Sequence, residues 1–206
     1  MVVAFLLALA ALAGAQECSE KTAIDGREYA QWIVSGGAKQ LLTGGGTRYK
    51  YGVAKVYAVG LYVDEAAVAG ALKAYADVDG KALAKDASFY AAVAKVPVTL
   101  LLNFHRSVDG ATIAGALKDS LAKKLDAATL ASFEASLTGV LKDGVKPDTK
   151  LYFACGGGDL GIGLGAPDVQ ATAPGAACGA LMDVYYGASP VSAQAKEGMA
   201  LGFAKL

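Results

Sequence analysis

The chain changes its hydrophobic period several times, and each change marks an element. Residues 45–63, GGTRYKYGVAKVYAVGLYV, are rich in Tyr and Val and are interrupted at Gly52, which predicts a β-hairpin. A two-residue turn at Gly52-Val53 sets Arg48 opposite Tyr57, Tyr49 opposite Val56, Lys50 opposite Lys55 and Tyr51 opposite Ala54. The face that carries Tyr57 continues through Val59, Leu61 and Val63, an apolar row with an arginine and a phenol at one end. Asp64 caps a predicted helix over 65–76, with Ala67, Ala71 and Leu72 inward. Residues 96–105 read as a strand. Asp109 then caps a helix over 110–124, whose Ile113, Ala116, Leu117 and Leu121 recur at helical spacing. Asp126 caps another, with Leu130, Phe133, Leu137 and Val140 inward. Strands over 149–155 and 159–165 flank a glycine triplet. Helices over 175–186 and 192–204 close the chain, the last capped by Ser192. Strands, then helices, then strands, then helices give an α+β class, an antiparallel sheet covered by helices.

The first residues have a different pattern. Val2 to Ala13 are apolar without a break, too short a run for a spanning helix of about 20 residues. Ala13-Gly14-Ala15 places small residues where an A-x-A cleavage site needs them. Residues 1–15 therefore read as a signal peptide, although its start carries no Lys or Arg, and 16–206 as a single domain. The address is the secretory pathway or an organelle lumen, secreted or plastid. Nothing later predicts a membrane span.

Composition narrows the chemistry. Over 206 residues, 19 Lys and Arg balance 19 Asp and Glu, so nucleic acid is not an expected partner. Hydrophobic residues make up 54% and mean hydropathy is +0.39, against disorder. One His and three Cys leave little from which to build a metal site or a Ser-His-Asp triad, and no metal or other cofactor is expected. His105 reads as a structural histidine. Cys18, Cys155 and Cys178 allow one disulfide and one free thiol, with Cys155–Cys178 the favoured pair, or three free cysteines. The runs GGG at 44–46 and 156–158 and GIGLG at 161–165 lack the Lys-Ser/Thr of a phosphate loop, and read as turns and tight packing.

Gly46-Thr47-Arg48 followed by Lys55-Val56-Tyr57-Ala58-Val59-Gly60-Leu61-Tyr62 resembles the opening hairpin of the chalcone isomerase fold family. Phe104-His105-Arg106-Ser107-Val108 leading to Leu117-Lys118-Asp119-Ser120-Leu121 is similar as well. So is the ending Leu181-Met182-Asp183-Val184-Tyr185-Tyr186-Gly187 with Ser189-Pro190-Val191-Ser192. The resemblance spans residues 30–204. It implies an open-faced β-sandwich, a large antiparallel sheet packed against helices, with a ligand between the two layers.

The family holds true isomerases, non-catalytic relatives that bind fatty acids, and helper proteins. Arg48 matches the arginine with which the isomerases hold a phenolate. Tyr57 stands where they have Thr, and an Arg with a Tyr at these places resembles the fatty-acid-binding relatives. The isomerases' Tyr and Asn on the 110–124 helix become Ile113 and Ser120, and their later Thr or Ser becomes Val184. The resemblance thus implies a non-catalytic protein. It would bind a fatty acid or a similar amphipathic, polyketide-like carboxylate at Arg48 and Tyr57, with the tail along Val59, Leu61, Ile113, Leu117, Leu181 and Val184. The alternative is an intramolecular lyase of the chalcone isomerase type, using Arg48, Tyr57 and Ser120. A third reading is an interaction protein with a vestigial cleft. Without the resemblance, Arg48 opposite Tyr57 reads first as a cation–π or hydrogen-bonded pair that stabilises an edge hairpin.

Overall fold

A computed structural model describes residues 15–156 and 158–206. The expected signal peptide, all but Ala15, lies outside the described residues. Among the described residues, ten strands form two sheets: β1 (Gln16–Glu17), β2 (Lys21–Ile24), β3 (Arg27–Ala30), β4 (Trp32–Ser35), β5 (Ala38–Lys50), β6 (Ala54–Asp64), β7 (Val98–Phe104), β8 (Lys150–Cys155), β9 (Leu160–Leu164) and β10 (Ala171–Ala173). Eight of them form one antiparallel sheet in the order β1-β4-β5-β6-β7-β8-β9-β10, while β2 and β3 pair separately. The helices are α1 (Glu65–Ala69), α2 (Gly80–Leu83), α3 (Ala87–Val93), α4 (Gly110–Leu121), α5 (Ala127–Val140), α6 (Ala176–Tyr186) and α7 (Ala193–Phe203). This is the α+β architecture read from the sequence.

The alternation along β6 divides the interior. Val59, Leu61 and Val63 point into the main core with Leu100, Leu102 and Phe104 of β7 and the inner faces of the helices. Ala58 and Tyr62 point the other way and are covered by Tyr29 and Ala30 of β3 with Cys18 and Ile33. Helices thus roof one face, and the β2–β3 hairpin covers part of the other.

The helix starts follow their caps. Asp109 accepts from Thr112 N at 2.8 Å, Asp126 from Thr129 N at 2.9 Å, and Ser192 Oγ from Ala195 N at 3.1 Å. Hydrogen bonds from the Thr112 hydroxyl and N–H hold the Asp109 carboxyl below its ordinary range, and those from the Thr129 N–H and hydroxyl do the same for Asp126. The expected helix over 65–76 is shorter. It stops at Gly70, a poor helix former, and a 3-10 turn at Lys73–Tyr75 follows. Leu72 is buried as expected, but Ala67 is only half-buried and Ala71 is exposed. Strands β1 to β4 and β10 and the short helices α2 and α3 were not anticipated.

The glycine triplet at 44–46 explains how the last helix seats. α7 lies so close to β5 that a Cβ on Gly198 would collide with the carbonyl of Gly45, and one on Gly202 with that of Thr43. Backbone meets backbone here, so these glycines serve close packing. Cys155 of β8 is bonded to Cys178 of α6, and Cys18 is free and buried under the β2–β3 hairpin with Tyr29 and Ala30.

Candidate functional site

The β5–β6 hairpin does not close with the expected two-residue turn. Tyr51, Gly52 and Val53 form a three-residue turn, with Tyr51 at φ 56° and Gly52 at φ 74°. Its first pairs are Lys50 with Ala54 and Tyr49 with Lys55, one residue out of the expected register. An extra residue, Val56, then bulges from β6, and the register returns: Arg48 pairs with Tyr57 and Thr47 with Ala58. The bulge also changes where side chains point. Residues adjacent along a strand normally face opposite ways, yet Val56 and Tyr57 both line one cavity. The freed Val56 carbonyl accepts a hydrogen bond from His105 N at 2.9 Å, so the distortion leaves no orphaned acceptor.

This cavity has a volume of about 440 Å³ and lies between the sheet and the helix layer. Its buried wall is formed by Phe104 of β7, Ile113 and Leu117 of α4, and Val184 and Tyr185 of α6. Half-buried Val56, Tyr57, Ser120 and Val191 continue it. Its rim is polar and cationic: Lys50 and Tyr51 from the hairpin tip, and Arg106, Ser107, Asp109 and Thr112 from the passage between β7 and α4. Arg48 stands in the wall beside Tyr57.

The polar atoms are arranged as follows. The hydroxyls of Tyr57 and Tyr185 are 2.7 Å apart, a hydrogen bond from sheet to helix. The Tyr57 ring also packs edge-on against Phe104, centroids 5.5 Å apart. Burial raises the Tyr57 phenol, while the hydrogen bond with Tyr185 and the positive charge of Arg48 pull it part of the way back. Burial holds Tyr185 well above the ordinary phenol range. Both are neutral at physiological pH. Two hydroxyls joined by one hydrogen bond retain one unused proton.

Arg48 donates through Nη1 to the backbone carbonyl of Tyr49, leaving most of its guanidinium donors uncommitted. Among the described residues, neither Arg48, Lys50 nor Arg106 belongs to an ion pair. The single carboxylate of the lining, Asp109, is engaged by Thr112 N and Thr112 Oγ1 at the helix start. The cavity therefore has an apolar wall and an excess of positive charge.

Six of the residues singled out in the sequence meet here: Arg48, Tyr57, Ile113, Leu117, Ser120 and Val184. Ser120 turns its hydroxyl back on its own helix, donating to Ala116 O at 2.9 Å. Val59, Leu61 and Leu181 do not line the cavity. They are packed in the main core at 0%, 0% and 1% exposure, so a tail following them would have to displace core side chains. The residues that take their place are Val56, Phe104 and Val191. The register places Phe104 directly opposite Tyr57, a neighbour that the length of the 96–105 strand brings within reach. Tyr185 lies in the ending Leu181–Gly187 that carries the C-terminal resemblance. His105 sits away from the lining, with Nε2 3.8 Å from Asp25, and burial lowers its imidazole below the ordinary value.

Comparison with known proteins agrees with the fold. The chain superposes on the crystal structure of a fatty-acid binding protein from Arabidopsis thaliana with a TM-score of 0.67 at 20% identity, over 91% of this chain and all of that one. The molecule has the chalcone-isomerase-like fold that its hairpin and ending led one to expect. No protein-family model and no curated protein matches the sequence.

Proposed function

We propose that the mature chain binds an amphipathic carboxylate of the fatty-acid class in the cavity beside Arg48, without catalysing a reaction on it. The observation that carries this reading is the pairing of an apolar wall with uncommitted cationic donors in one enclosure of about 440 Å³. That the structural neighbour from Arabidopsis is a fatty-acid binding protein supports it. The carboxylate meets Arg48 and the free proton of the Tyr57–Tyr185 pair. The tail lies against Val56, Phe104, Ile113, Leu117 and Val184.

Magnitudes divide the work. At about 30 Å³ per water the cavity corresponds to roughly 15 waters, space for an acid of about 12 carbons. Burying that tail contributes about 0.8 kcal/mol per methylene, roughly 10 kcal/mol before ordering and association costs are subtracted. A charge-assisted hydrogen bond adds about 1.5–3 kcal/mol. The tail sets affinity, and Arg48 sets orientation and the preference for an acid.

The same lining argues against ring closure of a chalcone. That chemistry needs donors aimed at charge developing on a ketone. Of the donor positions that the resemblance implies, Ile113 and Val184 supply none and the Ser120 hydroxyl is committed to Ala116 O, which leaves only Arg48 and the Tyr57–Tyr185 pair, the groups a carboxylate would take.

We place the protein in an oxidising compartment reached through residues 1–15, a reading that the Cys155–Cys178 bond supports. Native mass spectrometry of the mature chain equilibrated with dodecanoic acid tests the binding role. A one-to-one adduct is expected. Turnover of a chalcone by a chain that takes up no acid would overturn it.

A further inference from the structure

We infer that the tip of the β5–β6 hairpin docks the mouth of the cavity onto an anionic lipid surface. Tyr51 and Val53 are 85% and 82% exposed, the most exposed large hydrophobic side chains among the described residues, and only Gly52 separates them. The turn itself does not call for them. Its first residue lies in the left-handed region at φ 56°, where Asn, Asp or Gly fits best, and a tyrosine there serves no purpose in the backbone geometry.

Charge at the same place indicates the partner. The Lys50 ammonium sits 5.2 Å from the Tyr51 ring centroid, and Arg106 is exposed across the mouth. Neither has a carboxylate partner among the described residues. The whole chain has no net charge, so the attraction is local to this tip. A tyrosine ring settles at the headgroup level of a bilayer, an aliphatic neighbour reaches below it, and flanking cations add attraction to anionic lipids. Two apolar side chains give weak and reversible attachment. Because Lys50, Tyr51 and Arg106 also rim the cavity, docking turns its opening toward the phase in which amphipathic acids dissolve. The inference stands on the tip itself and goes beyond the identity of the ligand.

The test is co-sedimentation of the mature chain with vesicles of phosphatidylcholine, and with vesicles of phosphatidylcholine and phosphatidylglycerol in equal parts. Binding to the mixed vesicles and little to the neutral ones is expected. Val53 does not line the cavity, so Val53→Asp should lower vesicle partitioning by about tenfold or more while dodecanoic acid still binds in solution. Val53→Trp should raise partitioning and shift its emission to the blue on vesicles, a gain that a misfolded variant would not show. Lys50→Glu should abolish the preference for the mixed vesicles. Absence of binding by the wild-type chain, or partitioning of Val53→Asp equal to wild type, overturns the inference. So does self-association of the wild-type chain that Val53→Asp abolishes, since the tip is then a protein interface. Vesicle binding by a chain that takes up no acid would refute the fatty-acid reading and leave the docking role standing.

Discussion

The hydroxyl of Tyr57 on the sheet and that of Tyr185 on α6 meet at 2.7 Å in the cavity wall. This contact joins the two layers between which the cavity lies, and it completes a polar corner beside Arg48. The two partners are not equivalent. Tyr185 is fully buried, whereas Tyr57 is half-buried at the cavity.

Their difference in burial predicts an asymmetry between two single-atom deletions. Tyr57→Phe strands the Tyr185 hydroxyl in the core, at a cost of about 1–3 kcal/mol. Tyr185→Phe leaves Tyr57 facing the cavity, where water can replace the lost partner, and costs about 0.5–1.5 kcal/mol. Urea denaturation of the two variants checks the order. A larger loss for Tyr185→Phe would place the burdened hydroxyl on the wrong side.

The contact between α7 and β5 predicts opposite effects of one substitution at two glycines. Gly198→Ala drives a methyl group into the backbone carbonyl of Gly45 and should cost roughly 3–5 kcal/mol or prevent folding. Gly139→Ala on α5 meets nothing within 4 Å and should gain about 0.5–1 kcal/mol through helix propensity. Thermal unfolding of both proteins separates packing from propensity.

The Cys155–Cys178 bond closes a loop across a sequence separation of 23 and ties α6, with Val184 and Tyr185, to β8. Reduction, or Cys155→Ser with Cys178→Ser, should lower stability by about 3 kcal/mol. Denaturant midpoints with and without a reductant measure it. An unchanged midpoint would mean that the bridge does not constrain the unfolded chain.

Acid should act at Glu17. Burial tends to raise its carboxyl, but hydrogen bonds from Lys150 and Tyr152 outweigh that and hold it below the ordinary value of 4.5. A carboxyl whose folded value is depressed stabilises the fold at pH above the unfolded value and loses that contribution as pH falls through the folded one. Stability should therefore decline below about pH 4.5, and Glu17→Gln should flatten that part of the profile. A variant with the wild-type pH dependence would show that other carboxylates govern the acid limb.

Much of the helical layer was legible because α4, α5 and α7 each combine an apolar stripe with a capping residue, Asp109, Asp126 and Ser192, that marks the start; α6 begins at Gly175 without such a cap and was legible from its stripe alone. Short elements escaped for the complementary reason. β1 to β4 span two to four residues each, and α2 only four, too few for a period to show. The pairing of Arg48 with Tyr57 was read correctly through an incorrect turn. The third turn residue and the Val56 bulge cancel in the register, and neither leaves a mark in the alternation. The tail positions were harder. Alternation places Val59, Leu61 and Val56 relative to a face, but only the tertiary packing decides where the helices close on the sheet and where they leave space.

The central claim is that Arg48 holds a carboxylate while the apolar wall holds its tail. Calorimetric titration of dodecanoic acid and of dodecan-1-ol into the wild-type chain and Arg48→Ala tests it most directly. The account predicts that the wild-type chain prefers the acid, and that Arg48→Ala weakens the acid by about tenfold to a hundredfold while changing the alcohol little. Equal weakening of both ligands, or none for the acid, would contradict it.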